Sequence, residues 1–365
     1  MSKTLLIKPP ELVREYRVLH DRVCGFLKCT YDSYKLPVFR QLLKIHKRDL
    51  NTRLLTSGTQ WVTNPASSVL AVNLQPICSA VCTIARDTNC VLSAISAADL
   101  NGKTKVHTFD VEKLYPSMDQ ARVRGAVKRT LCTFFSIRAL PYWGVLVELL
   151  LCLLDAVFEG QIGAFVFAEG LRGIFKQRRG ITTGLSCGVQ LANLFLIAMD
   201  LEIHAAFSRH IRCYRRFVDD ILVITDACVS IHQLLHVFFN SFDEDIAVTN
   251  EDCEDGRHAS FLDVFISIHV GFFTFQTFRK PLCTYCYTPA NSCHNPSIFR
   301  AIVKTELIRL LRTNSEEGTF LYHVEFFVGK LLRCGYALPM VREIVDSVQL
   351  RDKHRILSRT QKTRI

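Results

Sequence analysis

The sequence predicts an α+β fold, and three observations lead there. First, Arg215 to Ile224 carries two adjacent carboxylates, Asp219 and Asp220, between the apolar runs Phe217-Val218 and Ile221 to Ile224, the pattern of two strands joined at a tip. Second, Val106 to Val111 is another apolar, β-prone run, and it carries Asp110 near its end. Third, residues 119–160, 297–312 and 319–350 place their apolar side chains at helical spacing.

The acidic strand tips carry the chemistry. Neighbouring carboxylates between apolar strands repel each other and lose hydration, which is costly unless a cation sits among them. The Asp219-Asp220 pair therefore reads as half of a divalent-metal site, with Asp110 as the third carboxylate on a nearby strand. Three carboxylates on two adjacent strands suit two Mg²⁺ ions, one lowering the pKa of an attacking hydroxyl and one neutralising a leaving phosphate. That is the chemistry of nucleotidyl transfer. An isolated Asp-Asp is weak evidence, and the rest of the chain has to support it.

Composition bounds the answer. A chain of 365 residues that is 49% hydrophobic can bury a large core and is long enough for two or three subdomains. The net charge of +11 and pI near 9.0 suit a protein that neutralises phosphates. The cations are spread along the chain, as a lined channel would have them. Fifteen cysteines without an N-terminal signal peptide indicate free thiols in a reducing compartment, so an intracellular protein of nucleus or cytoplasm and not a secreted one. The most apolar run, Val145 to Phe158, contains Glu148 and Asp155 and is too short for a bilayer, so it reads as a buried helix with no membrane partner.

In chain order, residues 1–34 mix basic and apolar positions at helical spacing. From Leu36 short apolar runs are flanked by Lys44, His46, Lys47, Arg48 and Arg53, a basic hairpin. Residues 61–100, with Leu70, Val72, Leu74, Ile77, Val81 and Ile84, predict a helix. Pro116 breaks the strand that holds Asp110, and the 119–160 helical stretch follows with breaks at Pro141 and Gly144. A short hairpin at 164–167 leads into Gln177 to Ser186, where Gly180 and Gly184 permit close backbone approach to a ligand, and Val189 to Met199 reads as a packed helix. Residues 226–242 predict an amphipathic helix and 246–275 strands around a polar loop, Asn250 to His258. Asp263 reads as structural. Phe272 to Phe278 alternates and ends in Arg279 and Lys280, a strand with cations at its end. Cys283, Cys286, Cys293 and His294 have only partial zinc-ligand spacing. The helices beyond carry Arg300, Lys304, Arg309, Arg312, Lys330 and Arg333, which suit a phosphate-gripping surface.

FDVEKLYPSM at 109–118, QRRGITTGLSCGVQLANLFL at 177–196, RRFVDDILVIT at 215–225 and FLDVFISI at 261–268 resemble the palm motifs of reverse transcriptases, in their order and approximate spacing. The chain is most similar to the Penelope-like retroelement enzymes, relatives of telomerase, without a visible GIY-YIG endonuclease segment. LLKIHKRDLNTRLLTSG at 42–58 resembles their fingers, and 278–315 and 329–338 resemble their post-palm region; residues 35–345 are covered. The departures are Leu54 in place of a proline, Thr183, and Gly188-Val189-Gln190.

This resemblance implies a right-hand polymerase, with N-terminal helices and fingers in 1–107, a palm in 108–281 with a fingers-side insertion at about 119–176, and a helical thumb in 282–365. It implies an RNA-directed DNA polymerase that extends a DNA primer 3′-hydroxyl with dNTPs on an RNA template. Asp110, Asp219 and Asp220 would be catalytic and, with the Val111 carbonyl, would hold two Mg²⁺, with Mn²⁺ as a substitute. Lys44 and Arg53 would meet the triphosphate, Tyr115 would screen the sugar against a 2′-hydroxyl, and Gln177 and Gly184 would shape the nucleotide pocket. Arg279 and Lys280 would hold primer and template. The alternatives are an RNA-directed RNA polymerase, which Tyr115 disfavours, a telomere-end polymerase, and an inactive polymerase fold serving as an RNA-binding scaffold.

Overall fold

The computed structural model describes residues 34–43, 52–56, 58, 60–100, 103–137, 143–166, 172–226, 228–230, 234, 242–250, 256–269, 271–281 and 283–362. Strands β1 (Phe39–Leu43) and β2 (Thr52–Thr56) come first, then helices α1 (Asn64–Ala80) and α2 (Thr88–Ser96). β3 (Thr104–Glu112) is followed by α3 (Leu114–Ser117), α4 (Gln120–Ile137) and α5 (Trp143–Glu159), the hairpin β4 (Ile162–Val166) and β5 (Arg172–Lys176), and α6 (Gly188–Phe207). Next are β6 (Ile211–Phe217), β7 (Asp220–Asp226), β8 (Ala247–Asn250), β9 (His258–Phe261), β10 (Val264–His269) and β11 (Phe272–Thr277). The chain ends in α7 (Pro296–Thr313), α8 (Glu317–Arg333), α9 (Leu338–Asp346), a 3-10 turn (Leu350–Asp352) and α10 (Lys353–Lys362).

These elements form two compact units, each discontinuous in sequence. The first comprises residues up to Ile84, Val111–Ala206 and Leu234–Val248; the second comprises Ala85–Asp110, Phe207–Gln233 and Thr249–Ile365. The chain passes from one to the other inside β3, between Asp110 and Val111.

In the first unit β1 and β2 pair antiparallel, with Leu42 opposite Arg53, as the basic hairpin was expected to do. Its connecting segment, including Lys44, His46, Lys47 and Arg48, lies outside the described residues. Phe39 stacks on Phe165 at 4.6 Å between ring centroids, so the β4–β5 hairpin lies against β1. α5 is apolar on most of its surface and buries Val147, Leu150, Leu151, Leu154 and Val157, the buried helix that its composition predicts. α6 buries Leu191, Ala192, Leu194, Phe195 and Leu196.

The second unit holds β6, β7 and most of β3 as neighbours in that order, and a three-stranded sheet in the order β11-β10-β9. Val106 of β3, Leu222 and Ile224 of β7, and Phe261, Val264 and Ile266 of the smaller sheet share one core with Val91, Leu92 and Ile95 of α2. A second core is helical: Leu307 and Leu310 of α7, Phe320, Phe327 and Leu331 of α8, and Val341 of α9. β11 is riveted to the α7–α8 turn, since Thr277 and Thr313 share a hydroxyl hydrogen bond of 2.7 Å and the Asn314 amide donates to the Thr277 hydroxyl at 2.8 Å.

Two helical expectations change in detail. The single helix expected over 61–100 is two: Val81 is extended, and Asp87 starts α2 as an N-cap, its carboxylate accepting the Cys90 amide at 2.9 Å. The 319–350 stretch breaks at Gly335, whose φ of 83° ends α8 before Pro339 opens α9. Most of the amphipathic helix expected at 226–242 lies outside the described residues.

Candidate active site

The hairpin read from sequence is present in the second unit. β6 and β7 pair antiparallel with Phe217 opposite Asp220, so Val218 and Asp219 form its two-residue turn. β7 also pairs with β3, and the register puts Asp110 opposite Asp220. Side chains directly opposite each other share a face with Cβ atoms roughly 4.5–5.5 Å apart. Asp110 and Asp220 therefore project together from the end of the sheet, with Asp219 adjoining in the turn. All three are half-buried, while the neighbours Phe109, Ile221 and Leu222 are at most 1% exposed.

Apolar packing right up to the acidic end leaves the carboxylates at an edge that is neither dry nor freely hydrated. Like charges directly opposite destabilise a sheet. Oxygen-only donors of this kind fit a hard divalent cation such as Mg²⁺. Among the described residues no group of three or more His, Cys, Asp or Glu side chains is arranged to hold a metal ion, so the register supplies the donors and a cation would have to draw them together. Val111 is buried at 2% exposure.

Of the residues expected around the nucleotide, Tyr115, Gln177 and Gly184 fall in the first unit and are joined through one loop, while Lys44 lies outside the described residues. Tyr115 lies on α3, half-buried, and its carbonyl accepts the Ile181 amide at 2.8 Å. A Cβ added at Gly188 would meet the Tyr115 ring at 3.3 Å, so the start of α6 lies close against that ring. Gly180, at φ 76°, packs so tightly on Pro116 that a Cβ there would stand 2.6 Å from its carbonyl oxygen. Gly184, at φ 110°, is tighter still: its Cβ would lie 2.1 Å from the carbonyl oxygen of Thr56 at the end of β2. The Thr56 amide donates to the Thr183 carbonyl at 3.1 Å, completing the bond between that loop and the hairpin that carries Arg53.

Gln177 spends its side chain on the same loop. Its amide nitrogen donates to the Arg179 carbonyl at 3.0 Å and its oxygen accepts the Thr182 hydroxyl at 3.0 Å. Gln161 was not singled out by sequence, yet it is 4% exposed, and its side-chain oxygen accepts both the amide and the hydroxyl of Thr182, at 2.6 and 2.7 Å. Gln120 donates to the Gly180 carbonyl at 3.0 Å. Neither belongs to a recognisable pattern, because each acts on a loop 20 or more positions away.

Arg279 and Lys280 follow β11 in the second unit. Lys280 is exposed. Arg279 is half-buried, donating through Nε to His323 Nδ1 at 2.9 Å and through Nη2 to the His323 carbonyl at 3.1 Å, with its guanidinium 3.8 Å above the Phe326 ring. Burial holds its pKa below the ordinary arginine value. Asp263 has the structural role expected of it: it accepts the Thr88 hydroxyl at 2.7 Å and Arg309 Nη1 at 2.8 Å. Arg309 also donates to Glu306 at 2.7 and 2.8 Å, and Arg300 is held by Glu343, so these two cations of the helical region are engaged within it. Lys304 and Arg333 are exposed. Cys283, Cys286 and Cys293 are exposed free thiols.

A family model described as Animal helix-turn-helix domain matches residues 286–346, from the loop before α7 to the end of α9. No curated protein matches the chain. Among solved structures, the telomerase from Candida albicans in complex with the TWJ fragment of telomeric RNA superposes with a TM-score of 0.54 at 11% identity, over 87% of this chain and 61% of that one. The apo telomerase from Candida tropicalis superposes with a TM-score of 0.50 at 12% identity, over 83% of this chain and 57% of that one. The chain thus spans about three fifths of the telomerases it matches. At such identity the likeness speaks for architecture, and with the antiparallel sheets and the helical C-terminal region the fold is that of a right-hand polymerase.

Proposed function

We propose that this chain is an RNA-directed DNA polymerase of the Penelope-like retroelement type, with fingers in 1–107, palm in 108–281 and thumb in 282–365. The observation that carries the reading is the register of Asp110 opposite Asp220 with Asp219 in the adjoining turn. An apolar sheet that ends in three carboxylates has a use for them, because the repulsion serves no packing purpose. The right-hand fold supports the same reading independently.

Bound Mg²⁺ at that edge would activate the primer 3′-hydroxyl and neutralise the departing pyrophosphate. The chain's own groups do the rest. Asp110, Asp219 and Asp220, with the Val111 carbonyl, supply the oxygen donors. Arg53, with Lys44, neutralises the incoming triphosphate. The Tyr115 ring, backed by Gly188, screens the sugar face and disfavours a 2′-hydroxyl. Gln177, Gln161 and Gly184 hold the loop that shapes the nucleotide site. Lys280 and the exposed cations Lys304 and Arg333 contact the phosphates of primer and RNA template. The setting is nuclear or cytoplasmic.

Primer extension on an RNA template with Mg²⁺ and dNTPs tests this, run beside Asp219→Ala and Tyr115→Ala. Extension by the native chain, lost in the first variant and admitting rNTPs in the second, is the expected result. Native incorporation of rNTPs in preference to dNTPs would make it an RNA-directed RNA polymerase instead. No extension on any template, with Mn²⁺ as well as Mg²⁺, would leave a polymerase fold used for binding RNA.

A further inference from the structure

Val218 stands at φ 58°, in the left-handed region, where a β-branched residue is strained. Two residues earlier, Arg216 is fully buried at 0% exposure and is among the largest side chains so enclosed. Removing a guanidinium from water is costly before any partner is counted. Two such costly features within three residues of one turn call for a common cause. Arg216 Nη1 donates to the carbonyl of Val218 at 3.0 Å. The carbonyl of Arg216 in turn accepts the Ala85 amide at 2.8 Å, which anchors the strand carrying the guanidinium to the segment leading into α2. The peptide held by this bond is the one that joins Val218 to Asp219.

We infer that Arg216 is a positioning residue: its buried guanidinium holds the strained Val218–Asp219 peptide so that the Asp219 carboxylate stands beside Asp220, the residue that faces Asp110. The inference rests on the proposed reading of those carboxylates as the reaction centre. The turn needs a clamp because its alternative is relaxation of Val218 to negative φ, which would rotate the peptide and swing Asp219 away. Glycine or asparagine at 218 would accept the conformation without strain, and the turn would then not depend on the clamp. Valine makes the two residues interdependent.

That interdependence is what a double-mutant cycle reads. The four proteins are the native chain, Arg216→Lys, Val218→Asn and the double variant. Each is assayed for thermal midpoint, for Mn²⁺ affinity by electron paramagnetic resonance of the free ion, and for primer extension with kcat and KM separated. Arg216→Lys is expected to lose about tenfold or more in kcat with little change in KM for dNTP, since a displacement near 1 Å suffices for that, and to bind Mn²⁺ more weakly. Val218→Asn is expected to keep Mn²⁺ affinity and raise the midpoint. In the double variant, asparagine should recover about threefold or more of what lysine lost. Losses that simply multiply, or Mn²⁺ affinity untouched by Arg216→Lys, overturn the inference. If Arg216→Lys does not fold, Val218→Asn alone decides, because a midpoint that fails to rise means there is no strain to hold. A native chain that binds Mn²⁺ but extends no primer overturns the polymerase reading while the cycle in Mn²⁺ affinity and midpoint still judges this one. A native chain that binds no Mn²⁺ overturns both.

Discussion

Acid should loosen the second unit through His323, and the size of the effect follows from its surroundings. The ring is 6% exposed, and its Nδ1 accepts a hydrogen bond from Arg279 Nε, a bond possible only while that nitrogen carries no proton. Burial, then the nearby cations of Arg279 and Arg309, push the His323 pKa down from 6.5 to about 4. The folded chain therefore resists a proton that the unfolded chain takes up readily. The sign follows: the stability linked to His323 is fully present above about pH 6.5 and is lost as the pH falls through that window toward 4. At 1.36 kcal/mol per pH unit the whole effect is about 3 kcal/mol. Urea unfolding at pH 7, 5.5 and 4 measures it, with His323→Gln as the control, since a glutamine oxygen can accept the Arg279 bond and does not titrate. Carboxylates titrate in both proteins, so the difference isolates the histidine. The native chain should lose about 3 kcal/mol more than the variant between pH 7 and pH 4. Parallel curves for the two proteins would refute the reasoning and mean that His323 is protonated at no cost.

Three further outcomes are expected. Gly184→Ala must move either its loop or the end of β2, because the new methyl would stand 2.1 Å from the Thr56 carbonyl at a φ of 110°; a loss of about 2–3 kcal/mol in thermal unfolding and a raised KM for dNTP should result, and an unchanged melting curve would show the contact to be loose. Arg309→Met leaves Asp263 and Glu306, 31% and 15% exposed at the side chain, without their shared cation; about 2 kcal/mol should go in urea unfolding, with Asp263→Asn losing less because its amide oxygen still accepts from Arg309. Asp220→Asn keeps the side chain's shape but removes one carboxylate of the acidic edge, so primer extension should disappear while stability to urea without divalent ions changes by no more than about 0.5 kcal/mol; extension that survives would mean the edge is not the reaction centre.

Much of the fold was legible because its signals are local. An apolar run on each side of Asp219-Asp220 is enough to write a hairpin, since a strand tip is the one place where such a pair avoids burial, and the observed turn at Val218-Asp219 agrees. Gly180 and Gly184 read as points of close backbone approach to a ligand, whereas what lies against them is the chain's own backbone at Pro116 and Thr56, which residue type could not show. The break between α1 and α2 went unseen because Val81 and Ile84 continue the apolar rhythm while the Asp87 cap works through a single side-chain bond.

What the sequence by itself determined, then, is the set of elements and the identity of the acidic residues, because periodicity and residue chemistry act over a few positions. The tertiary structure alone decided which of them meet. Asp110 lies 110 positions before Asp220, and only the antiparallel register of β3 on β7 makes them neighbours. Arg216 read as one more basic residue in a basic chain; that it is wholly buried and bonded to the Val218 carbonyl depends on how the strands and α2 pack. Likewise Arg279 read as a strand-end cation for primer and template, and the helical core places His323 and Phe326 against it. A charge is visible in one letter, but its partner is set by the path of the backbone, and burial and hydrogen bonding follow from that path.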